Sequence, residues 1–209
     1  MHFPFRPLMA ALFFFVSSCE SNHLLKEVKR LDYPSASAIE NFNGRLYLVG
    51  DDANHILVLD SAFNKVDSIP MFHHPEERIP KPVKPDLEGA TTIYGGNESL
   101  LLSIGSGSLS PWRNSAFLFH YKSRKTDSLR LDSFYTELRS LGVKEINIEG
   151  ICSLQPALVL ANRGNLSYRS NHLIFTSLSV FYGRTAGPIN IVRLGGNNDT
   201  SEFRGVSGL

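Results

Sequence analysis

The sequence predicts an all-β protein: a β-propeller of four-stranded blades, present in this chain as an incomplete arc of about three. Three observations predict it. Short apolar runs of strand length alternate with polar turns through residues 34–209. These runs fall into groups of four, and a similar segment opens each group. The groups repeat at about 50 to 60 residues, the period of a propeller with loop-rich blades.

In the first group, Arg45–Gly50 and His55–Asp60 are apolar runs joined by the polar turn Asp51-Asp52-Ala53-Asn54. Lys65–Ile69 alternates as an exposed edge strand does. The second group runs from Glu88–Ile93 over a Gly95-Gly96-Asn97 turn into Leu100–Ile104. A Gly/Ser loop then leads to Ala116–Tyr121 and Ser128–Leu131, and a one-turn helix is expected at Tyr135–Leu141. The third group comprises Glu149–Ile151, Leu158–Leu160, His172–Phe175 and Ile189–Leu194.

The opening segments can be aligned by hand. Ser37-Ala38, Glu88-Gly89 and Glu149-Gly150 head the three groups, and Gly205–Leu209 reads as the head of a fourth. Ser37, Glu88, Glu149 and Ser207 stand 51, 61 and 58 residues apart. A β-sandwich also uses many short strands, but it gives no reason for a repeated Glu-Gly dipeptide. Closed propellers have about 4–8 blades, so three repeats and the head of a fourth lead us to expect an open, truncated ring.

The N-terminus follows a different logic. Arg6 precedes an unbroken apolar stretch, Leu8–Val16. A span of that length is too short to cross about 30 Å of hydrocarbon as a helix but suits the core of a signal peptide. Val16-Ser17-Ser18-Cys19 follows and resembles the lipobox of bacterial lipoproteins, in which the cysteine is acylated and becomes the mature N-terminus. The resemblance implies a signal peptide at 1–18 and lipid on Cys19; with the strand repeat, the expected division is a lipidated tether and lead-in strand at 19–33 and the partial propeller at 34–209. The resemblance also implies an exported protein of the bacterial cell envelope, held to the membrane by lipid on Cys19. An ordinary secretory signal with an incidental cysteine is the alternative.

Composition limits the remaining possibilities. A formal charge of +1 and the lack of any Lys/Arg run give no electrostatic footprint for nucleic acid. With Cys19 lipidated, Cys152 is the one cysteine left, so no intrachain disulfide can form. Ile151-Cys152-Ser153-Leu154 is apolar, and Cys152 reads as a buried small hydrophobe.

Two segments carry a further likeness. Lys84-Pro85-Asp86-Leu87-Glu88-Gly89 and Asn147-Ile148-Glu149-Gly150 resemble the strand-opening motifs of phytase-like (esterase-like) β-propeller proteins. Those are similar in turn to the calcium-dependent six-bladed propellers of the paraoxonase and strictosidine synthase type. The likeness covers about residues 32–209 and implies a superfamily rather than a substrate.

Propeller topology suggests what these positions do. The first strand of each blade is innermost, and its start shares a face with the loop between strands two and three. Glu88 and Glu149 should therefore meet Asp51 and Asp52, the loop from Gly105 to Asn114, and Asn162, Arg163 and Asn165. Converging carboxylates and amides suit a hard cation with oxygen ligands, so calcium is a candidate cofactor at Glu88, Glu149, Asp51 and Asp52. Two alternatives stay open: the glutamates hydrogen-bond neighbouring backbone, or they act in catalysis directly. Asp52 also suits a turn cap. Arg113 and Arg163, with Asn162, are candidate ligand-binding residues for phosphate or carboxylate, with interblade salt bridges as the alternative.

Other signals are weaker. His73-His74 opens a Pro-rich loop, and adjacent histidines on an extended chain point apart. Gly105-Ser106-Gly107-Ser108 lacks phosphate-loop spacing, and no Gly-x-Ser-x-Gly elbow is present. Trp112 and Tyr168 are candidate stacking residues. These features favour a propeller that binds a small molecule, glycan or protein at its mouth. The alternative is a calcium-dependent hydrolase of phosphate or carboxylic esters.

Overall fold

The computed structural model describes residues 29–95, 97–182, 187–195 and 205–209. The expected signal peptide, Cys19 and the tether up to residue 28 lie outside these, as does Gly96 of the expected turn. Contacts divide the chain between Leu31 and Asp32. Of the first unit only residues 29–31 are described, and they carry no helix or strand. The lead-in strand expected before residue 34 is not formed at 29–33, which is irregular.

Among its described residues the second unit is all-β, with twelve strands, one α-helix and a short 3-10 helix at Leu178–Tyr182. Its twelve strands form three four-stranded antiparallel sheets, each a run of sequential neighbours. The first holds β1 (Ala36–Phe42), β2 (Arg45–Gly50), β3 (His55–Leu59) and β4 (Lys65–Pro70). The second holds β5 (Leu87–Gly95), β6 (Glu98–Gly105), β7 (Ser115–His120) and β8 (Thr126–Arg130). The third holds β9 (Ile148–Leu154), β10 (Ala157–Asn162), β11 (Asn171–Ser177) and β12 (Asn190–Leu194). The groups of four read from the sequence are these sheets.

The pattern of burial explains why the middle strands read as continuous apolar runs. Along β6, Leu100, Leu102 and Ile104 enter one core while Leu101 enters another. Along β7, Ala116 and Leu118 join the first core, and Phe117 and Phe119 the second. Successive side chains of a strand point to opposite faces, so the second sheet is covered on both sides. Val49, Ile56 and Val58 cover one face, and Ile151, Leu158, Leu160 and Ile174 the other. By contrast β4 and β12, the last strands of the outer sheets, are largely exposed.

The helix is longer than expected. α1 spans Asp132–Ser140, nine residues rather than one turn, with Asp132 in its first turn and Arg139 in its last. Both charges suit the helix dipole. It buries Phe134, Tyr135 and Leu138 in the core between the second and third sheets. The Tyr135 hydroxyl, fully buried, donates to Gly105 O at 2.7 Å.

The first strands of successive sheets lie side by side, with β5 flanked by β1 and β9. This close approach accounts for the Glu-Gly dipeptide. A Cβ on Gly89 would stand 2.8 Å from Ile151 N, and one on Gly150 would stand 2.7 Å from Leu209 N. Residues 205–209 form no strand, unlike the strand head expected there, yet Gly208 N–H donates to Glu149 O at 3.0 Å.

Candidate functional site

One end of the three sheets is built from three copies of the same backbone device. In each, the strand pairing slips by one residue at the head of the first strand. Ala36 faces Gly50 and Ala38 faces Val49; Leu87 faces Gly105 and Gly89 faces Ile104; Ile148 faces Asn162 and Gly150 faces Ala161. Ser37, Glu88 and Glu149 are thus the extra residues of three equivalent β-bulges. A bulge bends the strand and re-aims the side chain it frees.

A second feature repeats with it. The N–H just beyond the second strand donates to the carbonyl two residues before the bulge. The pairs are Asp51 to Ser35 (3.0 Å), Ser106 to Asp86 (2.9 Å) and Arg163 to Asn147 (2.9 Å). Three positions therefore recur: Ser35, Asp86 and Asn147; Ser37, Glu88 and Glu149; Asp51, Ser106 and Arg163. The scaffold is repeated while its chemistry differs from sheet to sheet.

Those differences produce an alternating charge cluster. Lys84 Nζ lies between two carboxylates, hydrogen-bonded to Asp51 Oδ2 and 2.7 Å from Asp86 Oδ1. The other oxygen of Asp86 accepts from Ser106 Oγ at 2.6 Å and pairs with Arg113 Nη1 at 2.8 Å. Burial opposes ionisation of Asp86, but hydrogen bonds from Lys84 and Ser106 and the nearby cations outweigh it and hold its pKa low. Its backbone is left-handed at φ 55°, a conformation that Asp tolerates better than most residues.

Each of the other expected acids has its own cation or amide. Glu149 Oε1 pairs with Arg163 Nη2 at 2.7 Å and accepts from Asn147 Nδ2 at 2.7 Å. Burial nevertheless raises the Glu149 pKa. Asp52 Oδ2 pairs with Arg78 Nε at 3.1 Å, and burial followed by the charge of Asp51 pushes its pKa up.

Glu88 is the exception. It has no hydrogen bond or ion pair with any described residue. Its carboxylate oxygen lies within 4.8 Å of oxygens from both Asp51 and Asp86. Burial, then the charges of Asp86, Glu149 and Asp51, raise its pKa to about 7, with Lys84 offsetting only part. A half-buried carboxyl that titrates near neutrality, beside fixed cations, can accept a hydrogen bond, exchange a proton or meet an added cation.

Of the residues expected as metal ligands, the structure brings Asp51 and Glu88 together and adds Asp86. Asp52 and Glu149 stand outside that group. Arg113 and Arg163, expected to hold an anion, are both paired with carboxylates. Asn162 is fully buried, its amide spent on backbone: Oδ1 accepts from Asn147 N at 2.7 Å and Nδ2 donates to Glu145 O at 3.0 Å. Tyr168 stacks on His172 with ring centroids 5.9 Å apart. Sequence reasoning missed Lys84 and Asp86 as site residues, although both stand in the segment that opens the second sheet.

The fold and site define an all-β repeat protein whose stacked four-stranded sheets gather a charge-alternating cluster at one end. The chain belongs to a family described as a family of unknown function (DUF6929), whose profile matches residues 32–194 and so takes in all twelve described strands. No curated protein matches the chain.

Proposed function

We propose that the chain is a cell-envelope lipoprotein, anchored through Cys19, whose three sheets are propeller blades. It binds a small molecule that presents an ammonium or hydroxyl group to Glu88. The observation that carries this reading is the contrast between Glu88 and its neighbours. Asp51, Asp52, Asp86 and Glu149 are each paired with a cation of the chain itself. Glu88 sits among them without a partner. A buried carboxylate is costly unless it is paired, and a ligand donor would supply the missing pair.

Thermal-shift titrations with spermidine, free amino acids and neutral sugars test the reading. Saturable stabilisation by at least one class, lost in Glu88→Gln, supports it. A panel without response, or the same response in both proteins, argues against it. The anchor is tested separately: Cys19→Ala should abolish fatty-acid labelling and release the protein from membranes. Retained labelling would remove the lipoprotein part. Among the described residues no helix is long and apolar enough to cross a membrane.

A calcium-dependent hydrolase is the second reading, favoured by the grouping of Asp51, Asp86 and Glu88. The position of Lys84 weighs against it. Its ammonium already bridges Asp51 and Asp86, and would have to leave for calcium to take six to eight oxygen ligands. Calcium-dependent turnover of p-nitrophenyl acetate or p-nitrophenyl phosphate, lost in Glu88→Gln, would select the hydrolase.

A further inference from the structure

A cavity of about 510 Å³ lies between the loop connecting β4 to β5 and the β7–β8 side of the second sheet. That volume falls within the range of about 300–1,000 Å³ typical of small-molecule pockets. The loop connecting β4 to β5 supplies Phe72, His74 and Val83; the second sheet and its β6–β7 loop supply Trp112, Phe117 and Arg130. Phe72 and Phe117 meet edge-to-face, with centroids 4.7 Å apart and planes at 89°, and form an aromatic corner. Trp112 is 52% exposed and Val83 38% exposed, so large apolar side chains face open space here.

The polar groups of the lining restrict what can enter. Arg130 is neutralised by Asp132, donating from Nε to Oδ2 and from Nη2 to Oδ1, each at 2.9 Å, while its Nη1 donates to Pro111 O. It offers an anion little net charge. The Ser115 hydroxyl donates to Trp112 O at 3.3 Å. A sugar would lose water from many hydroxyls, find Arg130 and Ser115 already committed and have chiefly His73, His74 and Ser128 to replace that water, which is unfavourable. A flat apolar body against an indole and two phenyl rings gains both area and stacking.

We propose that this cavity binds a neutral, ring-bearing apolar small molecule, seated against Trp112 in the corner formed by Phe72 and Phe117. Neither the Glu88 reading nor the lipid anchor is needed for it. Trp112 and Arg113 are adjacent, and Val83 and Pro85 flank Lys84, so the apolar cavity and the charged cluster share two loops. Their residues are otherwise distinct.

Trp112 is the only tryptophan of the chain, so intrinsic tryptophan emission reports on this cavity alone. The full chain is titrated with N-phenyl-1-naphthylamine, a neutral fluorophore that joins a naphthyl and a phenyl group. Saturable quenching of Trp112 with energy transfer to the probe is expected. Val83→Arg, at an exposed rim position, places a charge across the opening and should weaken the probe at least tenfold while leaving the melting temperature unchanged. A second variant, Trp112→Phe, should lose the sensitised emission but retain the enhanced probe fluorescence under direct excitation, because the phenyl ring preserves the wall. Equal quenching in Val83→Arg would mean partition into lipid or general adhesion and would overturn the proposal. So would absence of saturable quenching, or a Trp112 spectrum that shifts with protein concentration, which would make the surface a protein contact.

Discussion

Glu88 owes its properties to a single slipped residue in the strand pairing. Because the bulge frees it from the alternation of β5, it meets Asp86 and Asp51 instead of packing on a neighbouring sheet. Its pKa, raised to about 7 from 4.5 chiefly by burial, makes folding depend on pH. A carboxyl that binds its proton more tightly in the folded state favours folding less as pH rises through that interval, and the loss is complete above about 7. Glu88→Gln removes the titrating group. The variant should therefore melt higher than the parent at pH 8, by about 2–4 °C for a gain on the order of 1 kcal/mol after discounting for partial exposure. At pH 4, below both values, the two proteins should melt together. Scanning calorimetry at both pH values checks this, and an identical difference at the two would show that Glu88 does not titrate between them. Sequence alone could propose Glu88 and Glu149 from their spacing. It could not show that Glu149 is neutralised by Arg163 and Glu88 is not, because that depends on a side-chain pairing across a loop.

At the scale of the element, the legible part was periodicity and the hidden part was register. The four-strand groups could be read because β6 and β7 are apolar on both faces and their turns are polar. The bulges at Ser37, Glu88 and Glu149 could not, since a bulge is a relation between two strands and leaves no mark on either one. Asp86 was hidden for a similar reason: its left-handed backbone and its bond to Ser106 join the head of β5 to the end of β6. The glycine after each glutamate carries a testable consequence. Gly89→Ala puts a methyl 2.8 Å from Ile151 N and 3.0 Å from Gly150 C, both backbone atoms that cannot rotate away. Prising β5 from β9 should cost about 1–3 kcal/mol, as overpacking generally does. In urea the midpoint should fall with the slope unchanged. An unaltered midpoint would show that the two strands separate freely, and the dipeptide would need another explanation.

On the scale of the whole molecule, the second sheet is the shared wall of two cores, and this determines how the protein should unfold. Leu101, Phe117 and Phe119 face the first sheet; Leu102, Ile104 and Leu118 face the third sheet and α1. Loss of either outer sheet uncovers one face of the middle one, whose strands are buried on both sides. At about 25 cal/mol for each Å² of apolar surface, exposing such a face is too costly to leave a stable remainder. The unit from Asp32 to Leu209 should then unfold in one transition, the behaviour of a cooperative domain. Trp112 fluorescence reports the second sheet and the β4–β5 loop packed on it, and far-ultraviolet circular dichroism reports all three sheets. Their urea curves should coincide. Leu101→Ala, at a fully buried position, should cost about 2–5 kcal/mol and shift both curves equally, although Leu101 touches only one core. Were the two curves to separate, the unit would not unfold as one, and the covered faces of the middle sheet would not be what holds the three together.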